Sequence, residues 1–332
     1  MLTHVIVTYN HAPYVEKAIL SALQQTVPSR LVVVDDASKD DTRAVIRRVL
    51  EREGSDALFI APELNQGLTA SLNAGLREVT TPYMAYFAGD DWVEPDRAEV
   101  QVGLMEARGE AFVLSYGDCL RSNEKGDPFD LLFSERHPRS WQTAEGDIFG
   151  ALLRGPNWLP APTLMQRTDA LRAIGGYDEA LDYEDYDICL RLARVGKVAR
   201  TETPLATHRE HAASLGAEIF KSGSSRWLRN LVDIERKHLG ASPATDHLVA
   251  MRLRERVLKL YELGSDPKWV NERLIETLPY LAGSESRTIR GLRSAARLGV
   301  PASALRRLKT LPKALRGQRR RVARTPSETT IA

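Results

Sequence analysis

Short apolar, β-branched runs alternate along the first part of the chain with segments whose apolar residues recur at three- and four-residue spacing. The runs that predict strands are residues 4–8, 31–34, 58–61 and 83–87. The segments that predict helices are residues 14–23, 45–50 and 68–78, the first directly after Pro13. The 31–34 run is apolar at every position, as in strands buried on both faces. This alternation predicts an α/β fold, a mostly parallel sheet flanked by helices.

The remainder of the chain is less regular and then becomes helical. Two more strands are predicted at residues 112–116 and 163–166, and two short helices at 168–174 and 185–193. The polar segment from about residue 123 to 162 has the length of loops that are commonly functional. Longer helices are predicted at 220–238, 246–263 and 267–278. We therefore expect an α/β domain over residues 1–215, a helical region over 216–285 and a tail over 286–332.

The composition is that of an ordinary globular protein, with 43% hydrophobic and 27% charged residues among 332. The formal net charge is only +2, but the charge is unevenly distributed. The tail is strongly basic, since no acidic residue occurs between Glu285 and Glu328. That tail is either a solvated, partly disordered segment or an arginine-rich amphipathic surface for peripheral membrane contact. Nucleic-acid binding is not predicted, because the tail has no interleaved aromatic residues for stacking on bases.

The two cysteines, Cys119 and Cys189, are far apart and have no metal-ligand spacing. This argues against a disulfide framework or a zinc site and fits a reducing compartment. The sequence shows neither a basic, cleavable leader nor an apolar run of the roughly 18 residues that a membrane span needs. We therefore expect a cytoplasmic protein; the amphipathic alternative for the tail would place it peripherally on the inner face of the membrane.

An acidic pair at the end of one predicted strand is the strongest chemical signal in the sequence. The run Tyr-Met-Ala-Tyr-Phe-Ala-Gly, residues 83–89, leads directly into Asp90 and Asp91. Open α/β sheets bind ligands at this edge, and adjacent carboxylates repel each other unless a cation or hydrogen-bond donors compensate them. Mg²⁺ is usually held by one or two carboxylates together with substrate phosphates. The pair predicts a site for a divalent cation and a diphosphate; the alternative is a plain turn before a helix near Pro95.

Polar residues follow other predicted strands in the same way. Residues 8–10, Thr-Tyr-Asn, end the first strand, and Asp35 and Asp36 end the second. Each group either contacts a ligand or caps the helix that follows, since Asn and Asp are preferred helix caps. Further along, Asn-Gln-Gly at residues 65–67 indicates a tightly constrained loop entering a helix.

Three acids at the start of a predicted helix are candidates for proton transfer. Glu184, Asp185 and Asp187 lie in its first turn, where the helix dipole stabilises negative charge. One of them is expected to act as a general base at the sheet edge. His208 and His211 lie beyond a predicted last strand, and each is either a ligand of the metal or diphosphate or an ordinary packing residue.

The order of these motifs is more specific than any of them alone. They are Thr-Tyr-Asn (8–10), Val-Asp-Asp-Ala-Ser-Lys-Asp-Asp-Thr (34–42), Asn-Gln-Gly-Leu-Thr-Ala-Ser-Leu-Asn-Ala-Gly (65–75), Gly-Asp-Asp-Trp-Val-Glu-Pro-Asp-Arg (89–97), Gly-Gly-Tyr-Asp-Glu (175–179), Tyr-Glu-Asp-Tyr-Asp (183–187) and His-Arg-Glu-His (208–211). In this order, over about residues 1–215, the chain resembles the family 2 glycosyltransferases of GT-A fold. The resemblance implies inverting transfer of one sugar from a nucleotide-diphosphate donor, by default a UDP-sugar. The acceptor would be a saccharide or lipid-linked hydroxyl in cell-envelope or exopolysaccharide assembly.

The resemblance also implies roles for individual residues. Those on the donor side are Thr8, Tyr9, Asn10, Asp36, Asn65, Gly67 and Asp90. Those that hold Mn²⁺ or Mg²⁺ are Asp90, Asp91 and His211. The general base is Asp185, and a carboxylate of ordinary pKa suffices for it. The long loop is the expected acceptor side, with Asn157, Trp158 and Glu184; Trp158 either stacks on a sugar ring or packs in the core.

Two positions depart from the family pattern. Ala88 stands where many relatives have the first acid of Asp-x-Asp-Asp, which leaves open which of the two following acids ligates the metal. Arg226-Trp227 matches the end of the Gln-x-x-Arg-Trp motif of processive members, but Gly223 replaces the glutamine. One sugar per encounter is therefore expected.

Other functions fit the sequence less well. A catalytically weak nucleotide-sugar-binding protein, or a scaffold that uses its helical region for partners, is the main alternative. A nucleotidyltransferase would need a glycine-rich phosphate loop after the first strand, and residues 11–13, His-Ala-Pro, do not supply one.

Overall fold

The computed structural model divides the chain into two compact units, Met1–Asn230 and Leu231–Ala332. The residues that it describes are 1–129, 144–155, 157–212 and 225–281, with isolated positions at 135, 214, 286, 290, 291, 293 and 294. The predicted basic tail, residues 286–332, therefore lies almost wholly outside the described residues.

An eight-stranded sheet forms the centre of the first unit, in the order β3-β2-β1-β4-β7-β6-β8-β5. The strands are β1 (Leu2–Thr8), β2 (Arg30–Asp35), β3 (Leu58–Ile60), β4 (Tyr83–Ala88), β5 (Trp92–Val93), β6 (Phe112–Ser122), β7 (Met165–Arg167) and β8 (Lys197–Arg209). Four strand pairs are parallel; the pairs of β7 with β4 and β6, and of β5 with β8, are antiparallel. The predicted α/β sheet flanked by helices is confirmed.

Five helices of the first unit form where the apolar spacing predicts them. The helix Arg97–Arg108, and the helix Phe149–Arg154 inside the segment expected to be a loop, were not predicted from that spacing. In chain order these helices are α1 (Val15–Leu23), α2 (Thr42–Arg52), α3 (Leu68–Glu78), α4 (Arg97–Arg108), α5 (Phe149–Arg154), α6 (Thr168–Ala173) and α7 (Glu184–Val195). Every residue of β1 is buried, because elements pack against both faces of this central strand. Polar side chains at the ends of such strands therefore reach solvent only at the sheet edge.

Strand β6 and helix α2 also differ from the sequence prediction. Strand β6 extends to Ser122 because it pairs in parallel with β8 over most of its length, and its polar second half gave no apolar signal. The helix α2 begins only at Thr42, so neither Asp35 nor Asp36 caps it. For β6, a distant strand rather than the local pattern sets the length of the element.

The ends of the central strands meet at one edge of the sheet. The amide of Asp36 donates to the Thr8 carbonyl oxygen at 2.9 Å, and the amide of Gly89 donates to the Val7 carbonyl oxygen at 2.9 Å. A Cβ atom at Gly89 would lie 2.7 Å from Thr8 Cβ, so only glycine permits this close approach. The three strand ends that carry the predicted motifs are thus held together by backbone contacts.

The second unit is helical, as expected. Its elements are the end of α8 (Ser225–Arg236), which crosses the boundary between the units, α9 (Pro243–Glu262) and α10 (Pro267–Thr277). Inside it, the buried Glu235 carboxylate accepts hydrogen bonds from Arg252 and Arg256, so its charge is paired. Among the described helices, none combines the length and the apolar character that crossing a bilayer requires.

Two helical glycines provide a matched test of this packing. Gly75, in α3, faces the buried Val5, and a Cβ atom there would lie 2.6 Å from Val5 Cγ1. We expect Gly75→Ala to destabilise the protein by about 1–3 kcal/mol through overpacking. Gly103, in α4, has open space around it, so Gly103→Ala should stabilise by about 0.5–1 kcal/mol. Denaturant unfolding of both variants measures the difference, and effects of the same sign would contradict the packing described.

Candidate active site

The acidic pair after β4 is buried and surrounded by hydrogen-bond donors. Asp90 is 6% exposed and Asp91 is 4% exposed. Asp91 Oδ1 lies 3.0 Å from His208 Nδ1 and accepts a 2.9 Å bond from the backbone N–H of Arg209. Asp90 Oδ2 lies 2.9 Å from His211 Nε2. Two adjacent carboxylates are thus compensated by residues at and just beyond the end of β8.

The pKa values of this pair shift in opposite directions, and burial raises that of Asp91. Burial acts to raise the pKa of Asp90, but the hydrogen bond with His211 and the nearby histidines outweigh it and lower the pKa. His11 Nε2, 3.7 Å from Asp90 Oδ2, belongs to that group. Burial acts to lower the pKa of His208, yet attraction to Asp91 raises it to about 9. His208 itself lies within β8 rather than beyond the last strand, because the strand continues to Arg209.

The acidic pair suits a divalent cation only together with further ligands. Within the described parts of the chain, no group of three or more His, Cys, Asp or Glu side chains is arranged to hold a metal ion. Asp90 Oδ1 and Asp91 Oδ2 accept no hydrogen bond from the described residues, whereas His211 Nε2 is already directed at Asp90. Two carboxylate oxygens plus the phosphates of a substrate are a set that Mg²⁺ and Mn²⁺ accept. The residues therefore fit such an ion.

An arginine that sequence reasoning gave no role supports the acidic turn. Arg209 Nε donates to the Asp90 carbonyl oxygen at 2.9 Å, and Nη1 donates to the Glu124 carbonyl oxygen at 2.7 Å. Its guanidinium Cζ lies 4.8 Å from the centroid of the Tyr14 ring and 4.9 Å from that of Trp92. The only sequence signal for this residue was its place between the two histidines of the His-Arg-Glu-His motif.

The predicted donor side begins at the end of β1. Thr8 is buried, and its hydroxyl has no hydrogen-bond partner among the described residues. Tyr9 is 37% exposed. Asn10 has a positive φ of 57°, its amide donates to Ser38 Oγ, and its Oδ1 accepts from the Lys39 amide. Asn10 therefore joins two loops at this edge instead of capping α1.

The second acid after β2 organises a neighbouring loop. Asp36 Oδ1 accepts from the Gln66 amide at 2.7 Å, and Oδ2 accepts from the Gly67 amide at 2.8 Å. Asn65 Nδ2 donates to the Asp36 carbonyl oxygen at 2.9 Å. Gly67 precedes α3 with a φ of 90°, which favours glycine. Asp36 thus holds the loop that carries Asn65 and Gly67, and its predicted contact with a donor stays a prediction.

Asp35 forms an ion pair with Arg43 and a hydrogen bond with the backbone of Ser38. Its Oδ2 accepts from the Ser38 amide at 3.0 Å and from Arg43 Nε at 2.5 Å, while Oδ1 is buried with no partner in the described residues. Arg43 also donates to the carbonyl oxygen of Pro62. This ion pair ties α2 to the strand end beside the Asp36 loop.

The predicted base lies in the first turn of α7, which β4 holds in place. Tyr86 of β4, four residues before Asp90, donates its hydroxyl to Glu184 Oε1 at 2.5 Å. Asp185 Oδ1 accepts from the Tyr186 amide at 2.7 Å. Burial, and then the negative charge of Glu184, raise the pKa of Asp185 well above its usual range. The role of Asp185 as the base stays a prediction.

The predicted acceptor residues divide between two environments. Asn157 Nδ2 donates to Asp185 Oδ2 at 3.2 Å, which places this residue beside the predicted base. Trp158 is only 3% exposed, so little of its ring is available for stacking on a sugar. The core-packing alternative is the one that the structure supports for Trp158, next to the buried Leu159.

Comparison with known sequences shows similarity to glycosyltransferases. Residues 3–149 match the family model described as Glycosyl transferase family 2. An uncharacterized glycosyltransferase of Nostoc sp. is 25% identical over 299 residues, which are 85% of this chain and 90% of that protein. An Escherichia coli protein described as UDP-Glc:alpha-D-GlcNAc-diphosphoundecaprenol beta-1,3-glucosyltransferase WfaP is 26% identical, over 67% of this chain and 82% of its own. An uncharacterized glycosyltransferase of Rickettsia prowazekii is 27% identical over 64% of this chain. That match covers 65% of the length of the Rickettsia protein.

Solved structures show the same fold. Residues 1–349 of S. aureus TarS, in complex with UDP, superpose with a TM-score of 0.59 at 14% identity, over 93% of this chain and 91% of that one. The mannosyltransferase PcManGT of Pyrobaculum calidifontis, in complex with GDP-Man and Mn²⁺, gives 0.54 at 17% identity, over 92% and 86%. Both likenesses concern the fold, which is the GT-A fold that the sequence predicted. The part of the chain that contains Asp36, Asp90 and Asp91 is thus similar in sequence to glycosyl transferase family 2.

Proposed function

We propose that this protein transfers a single sugar from a nucleotide-diphosphate donor to a hydroxyl acceptor, with inversion at the anomeric carbon. The observation that carries the proposal is the double role of β4. Its end places Asp90 and Asp91 among histidines, and its Tyr86 holds Glu184 beside Asp185. The strand thus leads into the acids proposed to bind the departing diphosphate and contacts the helix turn that carries the proposed base.

The donor side accommodates the negative charge of the leaving group. Asp90 and Asp91 would hold Mn²⁺ or Mg²⁺, which when bound neutralises charge on the departing diphosphate. His211 and Arg209 keep the acids in place, through Asp90 Oδ2 and the Asp90 carbonyl oxygen respectively. Thr8, Tyr9 and Asn10, with the loop held by Asp36, are the proposed contacts of the nucleotide. A UDP-sugar is the default donor.

The acceptor side supplies the base. An acceptor hydroxyl attacks the anomeric carbon from the face opposite the diphosphate, and Asp185 takes its proton. Asn157 and the Tyr186 amide each bond one carboxylate oxygen of Asp185, which fixes its orientation. A raised pKa makes Asp185 a stronger base once it is deprotonated, and positioned bases typically contribute about 10²–10⁴-fold.

The acceptor class is proposed from a relative. The E. coli protein is named for transfer to a GlcNAc-diphosphoundecaprenol, which supports a saccharide or lipid-linked acceptor and a role in cell-envelope or exopolysaccharide assembly. Peripheral contact of the basic tail, residues 286–332, with anionic lipid would bring the enzyme to such an acceptor.

Asp185→Asn tests the base directly. We expect the variant to lose about 10²–10⁴-fold in UDP release from UDP-glucose or UDP-GlcNAc, while its affinity for UDP is unchanged, because Asp185 contacts no proposed donor residue. The control is Asp169→Asn, which changes an exposed acid in the first turn of α6. Release near the wild-type rate in Asp185→Asn would show that another group is the base. Binding of UDP without release in the wild type would favour the weak-binder alternative.

The pH profile tests the environment of that base. Only the carboxylate form of Asp185 accepts a proton, so activity falls as pH drops through its raised pKa. The acid limb of kcat/KM should therefore lie above about pH 4, which is the usual pKa of a carboxyl group. Glu184→Gln removes the neighbouring negative charge and keeps an oxygen for Tyr86, so the limb should move to lower pH. An unchanged limb, or one at higher pH, would contradict this electrostatic coupling.

Thermal stabilisation by UDP tests the acidic pair without an activity assay. With Mn²⁺ present, UDP at about 100 times its Kd should stabilise the wild type by about 2.7 kcal/mol. Asp91→Asn keeps an oxygen for the Arg209 amide but lowers the charge, so the Mn²⁺-dependent part of the stabilisation should disappear. The same measurement on Asp90→Asn decides which acid contributes more. Equal stabilisation of wild type and both variants would contradict metal binding at this pair.

A further inference from the structure

A three-residue contact holds the loop immediately before α7, and we name it the Asp182 latch. Arg226 donates from Nε to Asp182 Oδ2 and from Nη2 to Asp182 Oδ1, both at 2.7 Å. Asn230 Oδ1 accepts from the Asp182 amide at 2.7 Å, and Asn230 Nδ2 donates to Asp182 Oδ2 at 3.2 Å. The Asp182 latch consists of these three residues, Asp182, Arg226 and Asn230, all within the first unit.

The latch has the geometry of a specific contact. Arg226 and Asn230 are four positions apart on α8, so they project from the same face of the helix. A guanidinium that meets both oxygens of a carboxylate adds directional constraint to its charge. Asn230 is 7% exposed and also donates to the Arg226 carbonyl oxygen, which keeps its amide in register. Backbone and side chain of Asp182 are therefore fixed by one helix face.

Asp182 lies three residues before the proposed base. The other anchor of the same turn is the hydrogen bond from Tyr86 to Glu184. Only Tyr183 separates these two anchored residues in the sequence. The backbone that leads to Asp185 therefore has little conformational freedom. A misplacement of about 1 Å in a reacting group costs about 100-fold in rate. A restraint on the backbone three residues before Asp185 therefore affects the rate at which this residue takes a proton.

We propose that the Asp182 latch is a positioning element that sets the place of Asp185 for catalysis. This rests on the proposed function. Arg226 belongs to the Arg226-Trp227 pair, the part of the motif of processive members that this chain has. In the latch, this arginine anchors the turn that carries the proposed base.

A merely structural role makes a different prediction. The Arg226 side chain is 54% exposed and that of Asp182 is 33% exposed. Ion pairs with that exposure contribute about 0–1 kcal/mol to stability. If the latch only stabilised the fold, its loss would lower the melting temperature slightly and leave kcat of the folded enzyme unchanged. A positioning role instead lowers kcat and leaves donor affinity alone.

The test compares Arg226→Ala and Asp182→Ala, singly and together, with Arg236→Ala. Arg236 is a matched control: it lies on the same helix, contacts Glu276 through Nε and Nη2, and its side chain is 39% exposed. UDP release from UDP-glucose with Mn²⁺ gives kcat and KM, and calorimetry with UDP gives Kd. We expect kcat to fall about 10-fold or more in both latch variants, with Kd within about twofold and no change in Arg236→Ala. The double variant should lose no more than either single one, because the residues act as a pair.

Hydrogen exchange makes the outcome independent of activity. Amides of residues 182–190 should exchange faster in Arg226→Ala than in wild type or Arg236→Ala. Unchanged kcat in the latch variants of an active enzyme, or unchanged exchange in this segment, would overturn the proposal. If the wild type released no UDP from any donor, the proposed function would fail, and the exchange measurement alone would still decide the latch.

Discussion

Two adjacent carboxylates buried at the end of a central strand impose the constraint on which the site depends. Asp90 and Asp91 would repel each other in a poorly solvated place unless donors approached from outside β4. The donors are His208 and the Arg209 amide for Asp91, and His211 for Asp90. They are more than 100 residues away in sequence, so these hydrogen bonds form only because the end of β8 packs against the turn that follows β4.

The same strand places a second acid in the opposite electrostatic situation. Histidines lower the pKa of Asp90, whereas burial and Glu184 raise that of Asp185. Carboxylates whose environments separate their pKa values in this way are suited to different tasks, one to staying ionised and one to exchanging a proton. Tyr86 and Asp90, both delivered by one short segment of chain, link these two environments.

Several polar residues at this edge of the sheet form hydrogen bonds within the protein itself. Asp36 binds two loop amides, Asp35 pairs with Arg43, and Asn10 bridges to the Ser38 loop. Such bonds satisfy buried polar groups and also order the loops between strand ends. A preorganised edge loses less conformational entropy on binding a ligand, which is why so many of its side chains are already committed.

Local patterns were enough to predict most of the fold and to locate the acids of the candidate site. Apolar spacing in the sequence determined the strand–helix alternation, and the helix predicted at residues 68–78 forms as α3 (Leu68–Glu78). The acidic pair after β4 and the acids that begin α7 were visible because strand ends and helix starts are local features.

Tertiary structure alone decided which distant groups meet. It extended β6 along β8, buried Trp158, placed Arg209 between Tyr14 and Trp92, and raised the pKa of Asp185. The physical reason is that periodicity reports how a segment folds against an unspecified neighbour. Burial, pKa and the choice of hydrogen-bond partner depend on which neighbour arrives, and only the packed chain determines that.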